Sequence, residues 1–337
     1  MRRFILVSLG IIFLSFILVG KVVQIPELIN PDFIIVNKNK IFIVEETSIY
    51  IYSLEDFKLL KKFGEKGEGP GEFLTAPGFK IKPFVQNDYL FINSLSKVSI
   101  FTEDGRLLKE IRKPRRESEY QPCGEIFAGT SVLMENGVQY LTIDLYDKNL
   151  NKKKEIFRQR TPFQPQDLHK GFNPLNQESI KFYSKYNKIF VSDENGIIHV
   201  FESTGREVFS IKHDYGKLRV SDIHKEEVYN FYKEHPGTKV MFEYLKSKMR
   251  FPEYFPIIRD YQIADNKIYV LPYAEKKGKK FFYLFDMQGN FLETIATEIK
   301  EKNILELFPY SIKDNKLYQL IERGEKWELH VSSLKGK

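Results

Sequence analysis

The 337-residue chain contains one cysteine, one tryptophan and six histidines. A single Cys excludes a disulfide framework and any cysteine-rich zinc site. The His residues are scattered and form no His-rich metal motif. Gly-x-Ser-x-Gly is absent, as is a Gly-Lys-Ser/Thr phosphate loop, so nucleophilic and nucleotide chemistries have no motif to rest on. Disorder is excluded as well, because 42 % of the residues are hydrophobic and 29 % charged. In place of Cys and Trp there are 29 Phe and 19 Tyr, residue types that favour strands.

Lys and Arg exceed Asp and Glu by 52 to 45, a net charge of +7. The excess sits in short clusters: Arg112, Lys113, Arg115 and Arg116; Lys152 to Lys154; Lys276, Lys277, Lys279 and Lys280. No nucleic-acid motif accompanies them, so they read as solvated turns that keep strand edges soluble, and no nucleic-acid partner is expected.

Phe4 to Gly20 is apolar apart from two serines and follows Arg2 and Arg3, the pattern of an export signal. At 17 residues it is at the short end of what spans a bilayer. Leu18-Val19-Gly20 is a poor cleavage site, and the nearby sequence offers no Cys for lipid attachment. Residues 1–20 are therefore a signal peptide or an uncleaved signal anchor attaching the chain through residues 4–20. Either option exports residues 21–337 to a periplasmic, extracellular or membrane-anchored location. In an oxidising compartment Cys123 is expected as a buried or free thiol.

One pattern recurs along those residues. A short apolar strand, a polar turn, an alternating strand, a tight turn and a second alternating strand follow in order. Lys40–Val44, Ile49–Tyr52 and Lys58–Phe63 form one unit. Tyr89–Ile92, Val98–Phe101 and Arg106–Ile111 form the next. Clear copies run through 188–211 and 267–295, and weaker ones through 132–157 and 316–331. Asp104-Gly105, Thr204-Gly205 and Gly289-Asn290 supply hairpin turns. An inner strand precedes each unit, for example Phe79–Phe84 and 257–263. Four strands repeated six times predict an all-β fold, a six-bladed β-propeller. The sixth unit stops after its third strand, near Ser333, so Lys21–Ile25 is expected to supply the missing outer strand and close the ring.

Phe63-Gly-Glu-Lys-Gly-Glu-Gly-Pro-Gly-Glu-Phe73, followed by Thr75-Ala-Pro-Gly78, resembles the loop of NHL-repeat-like six-bladed propellers exported by bacteria. Arg250–Ile258 resembles the same family's proline-rich lead-in to a late blade. The resemblance implies the propeller fold and no particular activity. Read by its residues, the loop is structural: Gly64, Gly67, Gly69 and Gly71 permit positive φ, Pro70 stiffens the middle, and Phe73 packs between blades. Glu65, Glu68 and Glu72 oppose a phosphate there.

The long connections, about 64–78, 112–125, 158–180, 213–256 and 296–308, all join one unit to the next, which places them on one face of the disc. That elaborated face is the expected binding surface. The connection 213–256 carries a helix from Ser221 to Glu234, with Ile223, Val228, Phe231 and Tyr232 apolar. A second helix runs from Thr238 to Met249, with Met241, Leu245 and Met249 on one face. The pair is either a lid over the mouth or a packing insertion. His224 and Glu227 lack a third metal ligand. Near the mouth, Lys80, Lys181, Arg259, Asp260 and Tyr261 are the candidate binding residues, with at most one of Arg259 and Asp260 facing the channel. Tyr254 and Tyr310 are candidate aromatic walls. These features describe a monomeric, non-enzymatic exported propeller, without cofactor, that binds a protein or glycan of the cell envelope. The alternative is a metal-assisted lyase or lactone hydrolase with a divalent ion in the channel, for which Glu125, Asp193 and His199 have no motif support.

Overall fold

Period-two alternation of large apolar residues gives strands that bury both faces, and such sheets must stack on one another. A computed structural model of the chain describes residues 20–76, 79–115, 118–161, 164, 170–175 and 180–334. Residues 4–19 of the apolar run, with Pro77, Gly78 and Arg116, lie outside them. Among the described residues no helix is long and apolar enough to cross a membrane.

Six four-stranded antiparallel sheets form the blades of a β-propeller. The chain opens with β1 (Lys21–Gln24). Blade 1 is β2 (Phe33–Asn37), β3 (Lys40–Glu45), β4 (Ser48–Ser53) and β5 (Leu59–Phe63). Blade 2 is β6 (Lys82–Gln86), β7 (Tyr89–Asn93), β8 (Lys97–Thr102) and β9 (Leu107–Arg112). Blade 3 is β10 (Tyr120–Cys123), β11 (Ile126–Glu135), β12 (Val138–Tyr146) and β13 (Lys152–Arg160). Blade 4 is β14 (Lys181–Lys185), β15 (Lys188–Ser192), β16 (Ile198–Glu202) and β17 (Glu207–Ile211). After helices α1 (Asp222–Glu234) and α2 (Phe242–Lys248), blade 5 is β18 (Ile258–Ala264), β19 (Lys267–Pro272), β20 (Lys280–Asp286) and β21 (Phe291–Thr297). Blade 6 is β22 (Tyr310–Lys313), β23 (Lys316–Arg323) and β24 (Lys326–Ser333), and β1 is its fourth strand.

The expected closure is present. β1 pairs antiparallel with β24, Lys21 opposite Val331 and Gln24 opposite Glu328. Just beyond β1, Ile25 and Leu28 enter the core between blades 6 and 1 with Trp327 and Leu329. The Trp327 indole N–H donates to the Ile29 carbonyl at 2.7 Å.

The core is divided among the blade interfaces, and alternation decides which residue faces which neighbour. In β3, Ile41 and Ile43 face blade 6, while Phe42 and Val44 face blade 2. Each of the six interfaces has such an apolar cluster. The glycine of the turn between third and outer strands is needed twice over. Gly105, Gly205 and Gly289 have φ of +72°, +80° and +88°. A Cβ there would also come within 2.7–2.8 Å of Phe63, Ile156 and Phe209 of the preceding blade. The turn thus marks where the next blade seats.

Three local expectations are corrected. The inner strand of blade 2 begins at Lys82, not Phe79. The second insertion helix is shorter than expected: a 3-10 turn at Lys239–Met241 precedes α2, so Phe242 and Met249 are buried while Met241 is exposed. In α1 only Val228 is fully buried, and Ile223 is 73 % exposed.

Deleting residues 21–28 removes the partner of β24 and two buried aliphatic side chains, each contributing about 1.5–3 kcal/mol. Calorimetry is expected to show a loss of at least about 3 kcal/mol for the whole domain. Cys123 is fully buried, and burial pushes its thiol pKa up. The native protein is therefore expected to resist thiol reagents at pH 8, with one thiol per chain reacting once denaturant is added.

Candidate functional site

The six inner strands surround a central cavity of about 490 Å³. Within each blade the strands run antiparallel, so the inter-blade connections and the turns between second and third strands share one face. On that elaborated side the cavity is lined by Lys82, Glu119, Gln121, Lys181 and Tyr310. Lys82 pairs with Glu119 at 2.6 Å. Lys181 donates to the Arg259 carbonyl at 2.6 Å and lies 3.6 Å from Asp260. Asp260 accepts hydrogen bonds from the Tyr183 hydroxyl at 3.2 Å and the Tyr310 hydroxyl at 2.8 Å. Burial, reinforced by the neighbouring Asp260 carboxylate, holds the Tyr310 phenol well above its usual pKa, so it remains a proton donor.

Lys181 therefore lines the channel and meets Asp260, which is not itself a lining residue, while the other candidates go elsewhere. Lys80 precedes β6 and pairs with Asp32 at 2.8 Å, away from the cavity lining. Arg259 points the opposite way from Asp260. It is 5 % exposed, ion-paired with Glu301, hydrogen-bonded to the Asn303 carbonyl at 3.1 Å, and 5.1 Å from the Tyr273 ring centroid. Tyr261 is a core residue whose hydroxyl lies 2.9 Å from both the Lys181 and Phe190 carbonyls. Tyr254 sits on the outside of the insertion, beneath the Lys217 ammonium.

Two glutamines not anticipated from sequence hold the inner ring. Gln121 donates to the Phe182 carbonyl at 2.9 Å and accepts from the Ser184 N–H at 2.8 Å. Gln262 does the same to Tyr310 and Ile312 of blade 6, at 2.9 and 3.1 Å. Each side-chain amide spans two residues of the next inner strand as a short piece of ladder would, satisfying backbone groups that face the channel. The polar channel wall thus ties blades together.

His199 lies 2.8 Å from Glu207 and 3.6 Å from Asp193, but on the outer part of blade 4. Glu125 is exposed in the turn after β10. His224 completes the N-terminal capping box of α1 with Ser221 and packs edge-on against Phe255. Among the described residues no three His, Cys, Asp or Glu side chains gather into a group able to hold a metal.

The glycine loop is clamped from blade 2. Lys97 donates to the Gly69 carbonyl at 2.6 Å and pairs with Glu110 at 2.8 Å. Glu110 accepts from the Gly71 N–H at 3.1 Å, and Glu72 from the Gly69 N–H at 2.9 Å. Gly64 and Gly71 adopt positive φ, whereas Gly67 and Gly69 serve by leaving room for the Glu72 carboxylate. Phe73 is fully buried between blades 1 and 2.

The elaborated face carries its own small core. Val228 of α1, Leu175, Phe255 and Ile304 join three inter-blade connections. Phe172 exchanges backbone hydrogen bonds with Lys248 and Arg250, at 2.9 and 2.8 Å. Among the described residues none of the insertion lines the central cavity. The helices brace the connections and present their outer side to solvent. Val240 is 93 % exposed, with Met241 and Tyr244 exposed beside it. Blade 3 also rises on this side: β11 and β12 extend nine register pairs, ending at the Asn136-Gly137 turn, with Val132 and Met134 exposed.

Tyr310→Phe is expected to lower stability in urea unfolding by about 2 kcal/mol, the scale of a buried hydrogen bond to a charged group. In an Asp260→Ala background the same substitution is expected to cost less than half as much.

No family model matches the chain, and neither does any curated protein. The likeness to NHL-repeat-like proteins is therefore carried by its loop and repeat alone. Solved structures are similar at low identity. A DUF4221-family member from Bacteroides vulgatus is 11 % identical over 93 % of this chain and 97 % of its own, with a TM-score of 0.47. The β-propeller domain of Cps50 (Swd1) from Myceliophteria thermophila is 11 % identical over 94 % and 100 %, with a TM-score of 0.40. BamB from Moraxella catarrhalis is 11 % identical over 89 % and 71 %, with a TM-score of 0.34. At these values the likeness is one of chain trace and carries neither an activity nor a partner to this chain.

Proposed function

We propose that this protein is an exported, non-enzymatic β-propeller that binds a protein partner through its elaborated face. The observation that carries this reading is the apolar surface left open on the insertion. Val240, Met241 and Tyr244 stand on adjacent turns, outside any core, on an element whose inner side is braced by Val228, Phe255 and Ile304. Exposed aromatic and Met side chains on a rigid base are what protein interfaces recruit, because little conformational freedom remains to be lost on binding. Lys239 precedes them in the chain and the Lys248 ammonium lies 5.9 Å from the Tyr244 ring centroid, the start of a polar rim. The channel suits a structural role better, since its Lys, Asp, Tyr and Gln groups hold one another across blades.

The test uses Val240→Glu, Met241→Glu and Tyr244→Glu, with Thr204→Glu on the opposite face as control. These positions are solvent-exposed, so circular dichroism melts are expected to match wild type. Cross-linking in envelope extract identifies a partner, and titration with that purified partner gives the affinity. Each insertion variant is expected to weaken binding about tenfold or more, the effect of losing a central contact, while the control is unchanged. Equal affinity for all four variants would sink the proposal.

A further inference from the structure

The direction of β1 decides which face of the disc the export segment joins. β24 starts at the Arg323–Lys326 turn, on the elaborated face, and ends at Ser333 on the plain face. β1 runs against it, so Lys21 stands at the plain face and Gln24 leads toward the elaborated one. The apolar run Phe4–Gly20 ends at the residue before β1. One residue spans at most about 3.6 Å, so no linker separates the run from the rim of blade 6.

A second observation concerns the rim itself. The outer strands of blades 1, 2, 4 and 5 each carry a β-bulge just after the plain-face turn. In these four the extra residue is an exposed aliphatic, Leu60, Leu108, Val208 and Leu292, whereas blade 3 has two register shifts whose extra residues are Lys153 and Ile156. Leu60 is 56 % and Leu292 46 % exposed. Val22, the second residue of β1, pairs with His330 without a bulge and is exposed too. A bulge bends the strand and blunts its edge, but that task does not require an aliphatic side chain in water. Around the start of β1 these residues lie on blades 5, 6 and 1, with Phe291 also exposed and Lys21 and Lys58 beside them.

We infer that the plain-face rim of blades 5, 6 and 1 is a membrane-docking surface: Val22, Leu60, Phe291 and Leu292 enter the headgroup boundary, and the elaborated face is turned away from the bilayer. The inference rests on residues 4–20 being retained as an anchor. Apolar side chains at the boundary with Lys among the headgroups is the arrangement interfacial surfaces use. It deepens the proposed function by leaving the insertion free to meet a partner in the exported compartment.

The experiment uses the full chain in vesicles of three parts phosphatidylcholine to one part phosphatidylglycerol. Cys123 is buried, so a fluorophore can be placed at Asp56→Cys or Gln288→Cys on the plain face, and at Asn136→Cys or Glu325→Cys on the elaborated face. Lipid carrying a headgroup spin label is the quencher. Quenching at Asp56 and Gln288 is expected to exceed that at Asn136 and Glu325 several-fold. Leu60→Glu with Leu292→Glu is expected to reduce it at least twofold while the chain stays vesicle-bound. Equal quenching on both faces of a bound chain overturns the docking surface. A chain processed near Gly20 and free of vesicles overturns the anchor on which it rests. Neither result touches the insertion-variant titration, so failure here is distinguishable from failure of the partner-binding reading.

Discussion

The ladder between β1 and β24 is the constraint on which the ring depends. A propeller built from consecutive blades leaves its last blade with an open outer edge, and an open edge is a template for pairing with other chains. Here the strand nearest the N-terminus fills that place, and the following residues carry the chain across the blade 6–blade 1 interface through Ile25 and Leu28. Trp327, the one tryptophan, is spent at this junction, packed with Phe308 and hydrogen-bonded to Ile29. First and last elements are thus held by the same contacts, and each blade is clamped between two neighbours.

Within the closed ring, polar and apolar groups divide the work by radius. The sheets meet through Phe, Tyr, Ile and Val, which accounts for the aromatic excess and explains how the ring holds without disulfides. Toward the axis the inner strands line a cavity, and backbone groups face it. Gln121, Gln262, Tyr183, Tyr310 and Asp260 satisfy those groups or one another. Toward the rim, glycine turns let each blade seat against the one before it.

The two faces differ because alternating strand direction sends every long connection to the same side. The connections could have lain loose over the disc. Instead those after blades 3, 4 and 5 share a small core and raise the insertion as a braced element. Its outer apolar residues and the aliphatic rim on the opposite side are separated by the full depth of the disc. They are the surfaces proposed for a protein partner and for a lipid surface.

Much of the fold was legible in sequence because a period of two leaves a direct mark. Lys40–Val44, Tyr89–Ile92, Lys188–Val191 and Lys267–Val270 all became second strands, and Ser221 became the cap of α1. The start of β6 was misplaced because Phe79–Phe84 alternates as a strand does, although pairing begins only where Lys82 finds Asn93. The site was less legible. Arg259 and Asp260 are adjacent charged residues that alternation merely parts, and only the 301–303 connection, which takes the Arg259 guanidinium, and the Tyr183 and Tyr310 hydroxyls, which hold the Asp260 carboxylate, decide where each is used. By itself, then, the sequence determined blade number, strand order and ring closure, since these follow from local periodicity and from which strand is missing. The tertiary structure decided which polar residues meet, what the insertion leaves exposed and at which face β1 begins, because these depend on contacts between residues far apart in the chain.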